Sequence, residues 1–121
     1  MIKNRTTGKI LANNKIVCNT IISKTVGLMF KKELIDCGYV FEFSRDVIGS
    51  IHMFFVFFPI DIIWLDKNLI VVELKENVKP FTPSLVPKKR CRYFIEIPSG
   101  TIKKSETKLG DRIVLEKLKK I

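Results

Sequence analysis

The sequence predicts one domain over residues 1–121, built mainly of β-strands as a jelly-roll-like sandwich or a small closed barrel, with one short helix near the N-terminus. The 121 residues are enough for one hydrophobic core and no second domain. β-Branched and aromatic residues recur in short runs separated by Gly, Pro, Asn and Asp, a pattern typical of short strands and turns. The longest apolar run, 51–65, contains Pro59 and Asp61 and is shorter than the roughly 20 residues of a membrane-spanning helix.

The elements before residue 50 are predicted from turn and capping residues. Asn13 and Asn14 tolerate the left-handed backbone of a tight turn, so they predict an opening hairpin. Ser23 or Thr25 can cap a short helix whose apolar residues recur at helical spacing. In chain order, the predicted elements are a hairpin formed by 9–12 and 15–20, a helix over 23–34, a strand over 39–43 and a loop over 44–49.

The apolar run at residues 51–58 predicts the central strand. Both faces of such a strand are apolar apart from His52, which is typical of a strand packed on two sides or beside a cavity. Pro59 would end this strand, and Asp66 would form the turn between the next two. The remaining predicted elements are strands over 60–65 and 69–74, an irregular segment over 76–87, a strand over 93–97, a polar stretch, and a last strand over 112–118.

Basic residues outnumber acidic ones by 22 to 12, which gives a net charge of +10. A surplus of this size favours anionic partners such as nucleic acid, or it reflects an evenly solvated surface. The solvated surface is the favoured interpretation because the charges are spread along the chain. The densest group, and the candidate anion-binding cluster, consists of Lys88, Lys89, Arg90 and Arg92.

The cysteines predict neither disulfides nor a metal site. Cys18, Cys37 and Cys91 form no CxxC pair, and one histidine is too few for a usual zinc site. Cys91 stands between two arginines, which can lower the pKa of a thiol, but an inert thiol in or beside a strand is the favoured interpretation. The first eight residues are polar and do not form a signal peptide. We therefore expect a cytoplasmic protein with no metal, no cofactor and no membrane partner.

Several motifs resemble one family in their order and content. They are Gly27-Leu28-Met29-Phe30, Tyr39-Val40-Phe41-Glu42-Phe43, Ile51-His52-Met53-Phe54-Phe55, Phe58-Pro59-Ile60-Asp61-Ile62-Ile63-Trp64-Leu65-Asp66, Ile95-Glu96-Ile97-Pro98-Ser99-Gly100 and Leu109-Gly110-Asp111. The family is domain of unknown function 192, a set of small bacterial and archaeal proteins, and the resemblance covers roughly residues 5–118. It implies a jelly-roll-like β-sandwich with a short helix, and it brings no activity, cofactor or substrate. Many members carry an export signal or a lipid anchor, which is not expected here.

Four residues among these motifs are candidate ligand-binding residues: His52, Asp61, Glu96 and Phe54. His52 is either a satisfied structural histidine or the wall of a pocket, where it could exchange a proton near neutral pH. Asp61 is either paired or bonded to backbone N–H groups, and Glu96 faces either solvent or a cavity. Phe54 and the neighbouring aromatic residues form core, or they stack on sugars or bases.

The leading hypothesis is a non-enzymatic module that binds a small molecule or a protein near His52, Asp61 and Glu96. The first alternative is a small hydrolase or isomerase that uses His52 with Asp61 or Glu96, although the sequence contains none of the common catalytic motifs. The second alternative, less favoured, is polyanion or nucleic-acid binding through Lys88, Lys89, Arg90 and Arg92.

Overall fold

The computed structural model describes residues 1–20, 23–24, 27–29 and 31–116, and within them the chain is mainly β. Eight strands and one five-residue helix are assigned in these residues. In chain order they are β1 (Ile2–Asn4), β2 (Ile10–Ala12), β3 (Asn14–Cys18), β4 (Cys37–Val47), β5 (Ile60–Leu65), β6 (Val71–Val78), β7 (Cys91–Pro98), α1 (Thr101–Ser105) and β8 (Ile113–Leu115).

The strands form two separate sheets. The larger sheet has the order β3-β4-β7-β5-β6, and the smaller one has the order β2-β1-β8. Only β3 and β4 pair in parallel, while all the other pairs of these described strands are antiparallel. The two sheets do not close into a barrel, so the barrel alternative is wrong. A mainly β fold is confirmed, and the jelly-roll arrangement stays a prediction.

Strand β5 lies at the centre of the core, because both of its faces are buried. All six of its residues are buried, and it pairs with β6 on one side and with β7 on the other. Ile63 and Leu65 face the core that lies under the small sheet and α1. Ile62 and Trp64 face a second core, which loops cover instead of strands. A strand that is buried on both faces needs apolar residues at successive positions, and every residue of β5 except Asp61 is apolar.

The segment predicted as the central strand, 51–58, is one of these covering loops. Ile51 makes a single bridge to Leu85, and the segment then leaves the strand conformation. The prediction is wrong because the backbone of Phe55 has a φ of 58°, a left-handed value that a strand does not contain. Ile51, Met53 and Val56 anchor the loop in the core, while His52 and the phenylalanines between them point outward.

The predicted N-terminal hairpin is also wrong. Strand β2 pairs with β1, and β3 pairs in parallel with β4. The reason lies at Asn13, whose backbone N–H and side-chain amide both donate to the carboxylate of Asp36, each at 2.9 Å. Together with the hydrogen bond from the Asn14 N–H to the Asp36 carbonyl at 3.2 Å, these bonds hold the chain beside the start of β4.

The predicted helix over 23–34 falls partly outside the described residues. Residues 23 and 24 are helical, and Thr20 and Ser23 exchange hydrogen bonds between hydroxyl and backbone N–H, each at 3.0 Å. This is a reciprocal cap that begins at Thr20, earlier than predicted. Helix α1 was missed because its five residues lie in a polar stretch. No helix in the described part of the chain is long and apolar enough to span a bilayer.

The loop predicted over 44–49 is wrong for residues 44–47, which belong to β4, whereas the turn at Asp66 agrees with its prediction. Strand β4 extends through most of the predicted loop at 44–49, and β6 extends to Val78. The turn at Asp66 is confirmed, since its carboxylate accepts hydrogen bonds from the N–H groups of Asn68 at 2.8 Å and Ile70 at 3.0 Å. The predicted last strand, 112–118, is observed as β8, and residues 117–121 lie outside the described range.

Gly38 of β4 marks the closest approach between the two sheets. A Cβ added at this position would overlap Cδ1 of Ile2 in β1. We expect Gly38→Ala to lower the free energy of unfolding by about 1–3 kcal/mol, as overpacked cores do, measured by urea denaturation. In an Ile2→Val background, which lacks that Cδ1 atom, the same substitution should cost less. Equal losses in the two backgrounds would contradict the close approach.

Candidate functional site

The candidate site is a cavity on the loop-covered face of the larger sheet. Its volume is about 70 Å³, which is small beside the roughly 300–1,000 Å³ of a typical drug-sized pocket. Strands β4 and β7 form its floor with Phe41, Phe94 and Glu96, and the two phenylalanine rings stack at 4.4 Å. The described residues that form its walls and its mouth come from two short segments: Lys24, Gly27, Leu28 and Met29, and Ser50, Ile51, His52 and Val56.

Glu96 is the polar group at the floor of this cavity. Ile95 and Ile97 point into the core under the small sheet, so strand alternation turns Glu96 toward the loop-covered face. The residue is only 5% exposed. Its burial raises the pKa of the carboxyl group to about 8, and no hydrogen bond from a described residue opposes this effect. At neutral pH the group is therefore mostly protonated, so it can both donate and accept a hydrogen bond.

His52 lies at the mouth of the cavity and is exposed to solvent. Its Nδ1 accepts a hydrogen bond from the backbone N–H of Phe54 at 3.3 Å, so in the neutral ring the proton is on Nε2. The rings of His52 and Phe54 also pack at 5.2 Å. His52 is thus part of the wall of a pocket, and its Nε2–H remains available to a ligand.

Lys24 also borders this cavity, although no sequence pattern predicted it. Its Nζ lies 4.5 Å from the ring centroid of Phe43 and 3.4 Å from the carbonyl oxygen of Glu42. Gly27, missed as well, has a φ of 44°, and a Cβ built on it would lie 3.0 Å from the ring of Phe41. Glycine is therefore required for the wall to approach the floor, and its place in the Gly27-Leu28 motif was the one available signal.

Asp61 does not reach this cavity. It alternates with Ile62 on β5 and points to the opposite face of the sheet, where it is 0% exposed. Its Oδ1 accepts the N–H of Asn77 at 2.8 Å, and its Oδ2 accepts the N–H groups of Gly100 at 3.1 Å and Ile102 at 2.9 Å. These three bonds tie the start of α1 to β5 and β6. The structure therefore brings together His52 and Glu96 but places Asp61 elsewhere.

The phenylalanines of the 51–58 loop are less buried than core residues. Phe54 is 44% exposed and Phe57 is 57% exposed, so both rings lie on the surface. Phe54 packs beside His52 at the mouth of the cavity, but it is not part of its lining. The interpretation of the aromatic residues as core holds for Trp64 and fails for Phe54, Phe55 and Phe57.

The predicted anion-binding cluster is exposed at three of its four positions. Lys88, Lys89 and Arg90 are exposed, whereas Arg92 is partly buried and forms an ion pair with Asp46 at 3.1 Å. Cys91, which follows this group, is buried, and burial raises the pKa of its thiol to about 11. Burial and the nearby Asp46 both raise the pKa of this thiol, which favours the interpretation of Cys91 as an inert thiol beside a strand.

The described residues contain no group of three or more His, Cys, Asp or Glu side chains that could hold a metal ion. Fold and cavity together define a small two-sheet β domain with a buried carboxyl group beneath surface loops.

The family of this chain follows from sequence comparison. A family model, domain of unknown function 192, described as "Uncharacterized ACR, COG1430", matches residues 2–115. The chain belongs to this family, which confirms the resemblance inferred from its motifs.

Relatives in archaea have no assigned activity in their names. UPF0127 protein PH1112 of Pyrococcus horikoshii is 35% identical over 97 residues, which are 80% of this chain and 83% of that protein. UPF0127 protein TK1120 of Thermococcus kodakarensis is 36% identical over 115 residues, which are 93% of this chain and 71% of that protein.

Two crystal structures share the fold. One, from Sinorhizobium meliloti, is described as a candidate transcription regulator and matches with a TM-score of 0.79 at 20% identity, covering 83% of this chain and 79% of that one. The other, a protein of unknown function from Novosphingobium aromaticivorans, also has a TM-score of 0.79, at 23% identity, covering 84% of this chain and 74% of that one. Identity at this level supports the fold alone.

Proposed function

We propose that this chain is a small binding module whose ligand enters the cavity above Glu96. The observation that carries the proposal is a carboxyl group that is 5% exposed, faces a cavity, and receives no hydrogen bond from the described residues. The part of the chain that the structure describes contains no fully buried polar side-chain atom without a partner, so the carboxyl oxygens of Glu96 are reached from the cavity, where a ligand can form hydrogen bonds with them.

The chemistry of the lining favours a small compound with a carboxylate or carbonyl oxygen. A protonated Glu96 donates a hydrogen bond to such an oxygen, and Lys24 and His52 at the mouth both favour negative charge. A cavity of about 70 Å³ admits a group of few atoms, such as acetate or a short-chain acid. Larger ligands would leave most of their surface in solvent.

Binding is favoured over catalysis because the acid–base pair is not assembled. The described hydrogen bond of His52 is with the backbone of Phe54, and none of the described hydrogen bonds joins it to Glu96 or Asp61. General acid–base chemistry needs such groups within about 3 Å of each other or of a substrate atom. The hydrolase or isomerase alternative therefore ranks second, and it would use His52 and Glu96 without Asp61. A cytoplasmic location remains a prediction.

A thermal-shift screen with acetate, propionate, pyruvate and acetamide tests the proposal. A ligand at ten times its Kd stabilises the folded state by about 1.4 kcal/mol, which for a domain of this size raises Tm by a few degrees. We expect this rise in the wild-type protein at pH 6.5 and its loss in Glu96→Leu, which removes the polar group. The matched control is Glu73→Leu, which changes a carboxylate of β6 that lies outside the cavity.

Two results would contradict the proposal. One is the absence of any rise in Tm across the four compounds at millimolar concentration. The other is an equal rise in the wild-type protein and in Glu96→Leu, since the compounds would then act away from the cavity. Isothermal titration of the compound with the largest shift provides the Kd and the stoichiometry, for which we expect one site per chain.

A further inference from the structure

A second surface lies outside the cavity and is made of exposed aromatic rings. We call it the phenylalanine surface, and it consists of Phe54, Phe55, Phe57 and Phe81. Their exposed fractions are 44%, 45%, 57% and 45%. Exposed apolar patches of adjacent large side chains mark interaction sites in soluble proteins, because such a patch is costly in water unless a partner covers it. None of these four rings lines the cavity above Glu96.

The two loops that carry these rings are joined by backbone hydrogen bonds. The N–H of Met53 donates to the carbonyl of Thr82 at 2.7 Å, and the N–H of Phe81 donates to the carbonyl of Met53 at 2.9 Å. The ring of Phe81 packs edge-on against Phe57 at 5.3 Å and against Phe55 at 6.3 Å. The rings are therefore held outward by a fixed loop framework.

The backbone is strained at two of the exposed rings. Phe55 has a φ of 58° and Phe81 has a φ of 61°, both in the left-handed region. For a residue with a side chain this conformation costs on the order of 1–2 kcal/mol. Strain of this kind is concentrated at functional sites, where the surrounding structure imposes it. Here the buried side chains of Met53 and Val56 impose it, since they anchor the loop on either side of Phe55.

Neither of these two loops contains an acidic residue, and the second one is basic. Residues 48–60 and 77–95 include no Asp or Glu, and 77–95 contain Lys79, Lys88, Lys89, Arg90 and Arg92. Because Ile51 and Leu85 pair in antiparallel fashion, Lys79 lies toward the aromatic end of the paired loops and Lys88 toward the other end. The eleven steps from Lys79 to Arg90 span at most roughly 40 Å. Phe81 thus stands between Lys79 and the group at Lys88–Lys89–Arg90 along this segment.

We propose that the phenylalanine surface and the exposed cations beside it bind single-stranded nucleic acid. Bases stack on the exposed rings, and phosphates contact Lys79 and the group at Lys88–Lys89–Arg90. Proteins that bind single strands without sequence preference combine cations that contact phosphates with aromatic rings on which bases stack, since every base offers a ring face and every nucleotide a phosphate. A second copy of this chain is disfavoured as the occupant, because each copy carries a net charge of +10.

Fluorescence anisotropy with labelled dT12 and rU12 oligonucleotides in roughly 50 mM salt tests the proposal. We expect binding that weakens with salt, with a slope of log K against log salt of about −2 to −3 for three or four phosphate contacts. The double variant Phe57→Ser/Phe81→Ser should lose about tenfold or more in affinity and keep the salt slope. The double variant Lys88→Ser/Lys89→Ser should instead reduce the slope by about 1.4, since each contact contributes about 0.7.

Two control variants test whether binding of dT12 depends on the phenylalanine surface and its cations or on exposed charge and apolar side chains in general. Leu109→Ser removes an apolar side chain that is 65% exposed elsewhere, and Lys103→Ser removes an exposed cation from α1. Both should leave the dT12 affinity within about twofold of the wild type. Phe54→Ser, a single change at an exposed ring, provides a second aromatic variant if the double variant unfolds. Glu96→Leu, the variant expected to lose the thermal shift with the small acids, should bind dT12 as the wild type does, so this proposal and the cavity proposal can fail separately.

Three results would overturn the proposal. The first is the absence of binding to dT12 and rU12 in the same low-salt buffer. The second is equal affinity for a duplex of the same length, whose bases cannot reach the rings. The third is flotation of the protein with phosphatidylglycerol vesicles that depends on Phe57 and Phe81, without oligonucleotide binding. That result would assign the surface to an anionic lipid layer.

Discussion

Asp61→Ala is expected to lower the free energy of unfolding by about 3–5 kcal/mol, a larger loss than we expect from Gly38→Ala. The carboxylate of Asp61 is fully buried and accepts hydrogen bonds from the N–H groups of Asn77, Gly100 and Ile102. Its removal leaves three backbone donors unsatisfied, and each costs about 1–3 kcal/mol when water cannot replace the lost acceptor. Urea denaturation followed by tryptophan fluorescence measures the change, since Trp64 lies in the same strand.

Asp66→Ala is the matched control for this experiment. Its carboxylate also accepts two backbone N–H groups, but it lies in a turn where water can take its place. We therefore expect a loss of about 1 kcal/mol or less for this variant. If Asp61→Ala were no more destabilising than Asp66→Ala, then the three bonds would not support the fold. Asp61 would have to be reconsidered as a ligand-binding residue.

The second prediction concerns pH. Burial raises the pKa of Glu96 from its ordinary value of 4.5 to about 8, so the folded protein holds a proton that the unfolded chain releases above pH 4.5. The contribution of the protonated group to stability is fully present below pH 4.5 and is lost as the pH rises to about 8. Between these values the free energy of unfolding should fall by at most about 1.4 kcal/mol per pH unit because of Glu96.

Glu96→Gln isolates this effect from other titrating groups. Glutamine keeps the shape and the hydrogen-bonding capacity of the protonated acid but cannot ionise. Lys24 and His52 border the cavity, and Cys18 and Tyr39 interact with Glu96, so all four remain in both proteins. We expect the variant to match the wild type near pH 4.5 and to become progressively more stable than it toward pH 8. A constant difference across this range would contradict the raised pKa.

The elements predicted well are those whose local pattern and tertiary role agree. The strand over 60–65, the turn at Asp66 and the strand around Phe94 are all present in the structure. Their signals are short-range: continuous apolar residues, a turn-forming aspartate and alternation of side chains. The family was also identified from short motifs, because their order along the chain is preserved.

The elements predicted wrongly depend on long-range pairing. Residues 51–58 are at least as apolar as β5, yet they form a loop, whose bridge joins Ile51 to the distant Leu85. The partners of β2 and β3 lie elsewhere in the chain, and the turn residues Asn13 and Asn14 do not specify them. Hydrophobic pattern predicts that a segment is extended or buried, but it does not predict which edge the segment joins.

Two of the four candidate ligand-binding residues, His52 and Glu96, line the cavity, and they were predictable for a similar reason. His52 and Glu96 were recognised because polar residues in apolar strands are costly, whatever their partners are. Asp61 was selected on the same grounds, but only the tertiary structure distinguishes a carboxylate satisfied by three N–H groups from one that faces a cavity. Lys24 was missed because lysines on exposed surfaces are common, and nothing near it in the chain indicates a cavity.

By itself, the sequence determined the class of this protein: a basic, mainly β domain of one family, with the apolar strand 60–65 at its centre. The tertiary structure alone decided which polar and aromatic side chains face the cavity, the core or the solvent. The physical reason is that burial depends on contacts between residues distant in sequence. In this fold those contacts turn Glu96 toward a cavity, enclose Asp61 in backbone N–H groups and leave Phe54 and Phe57 at the surface.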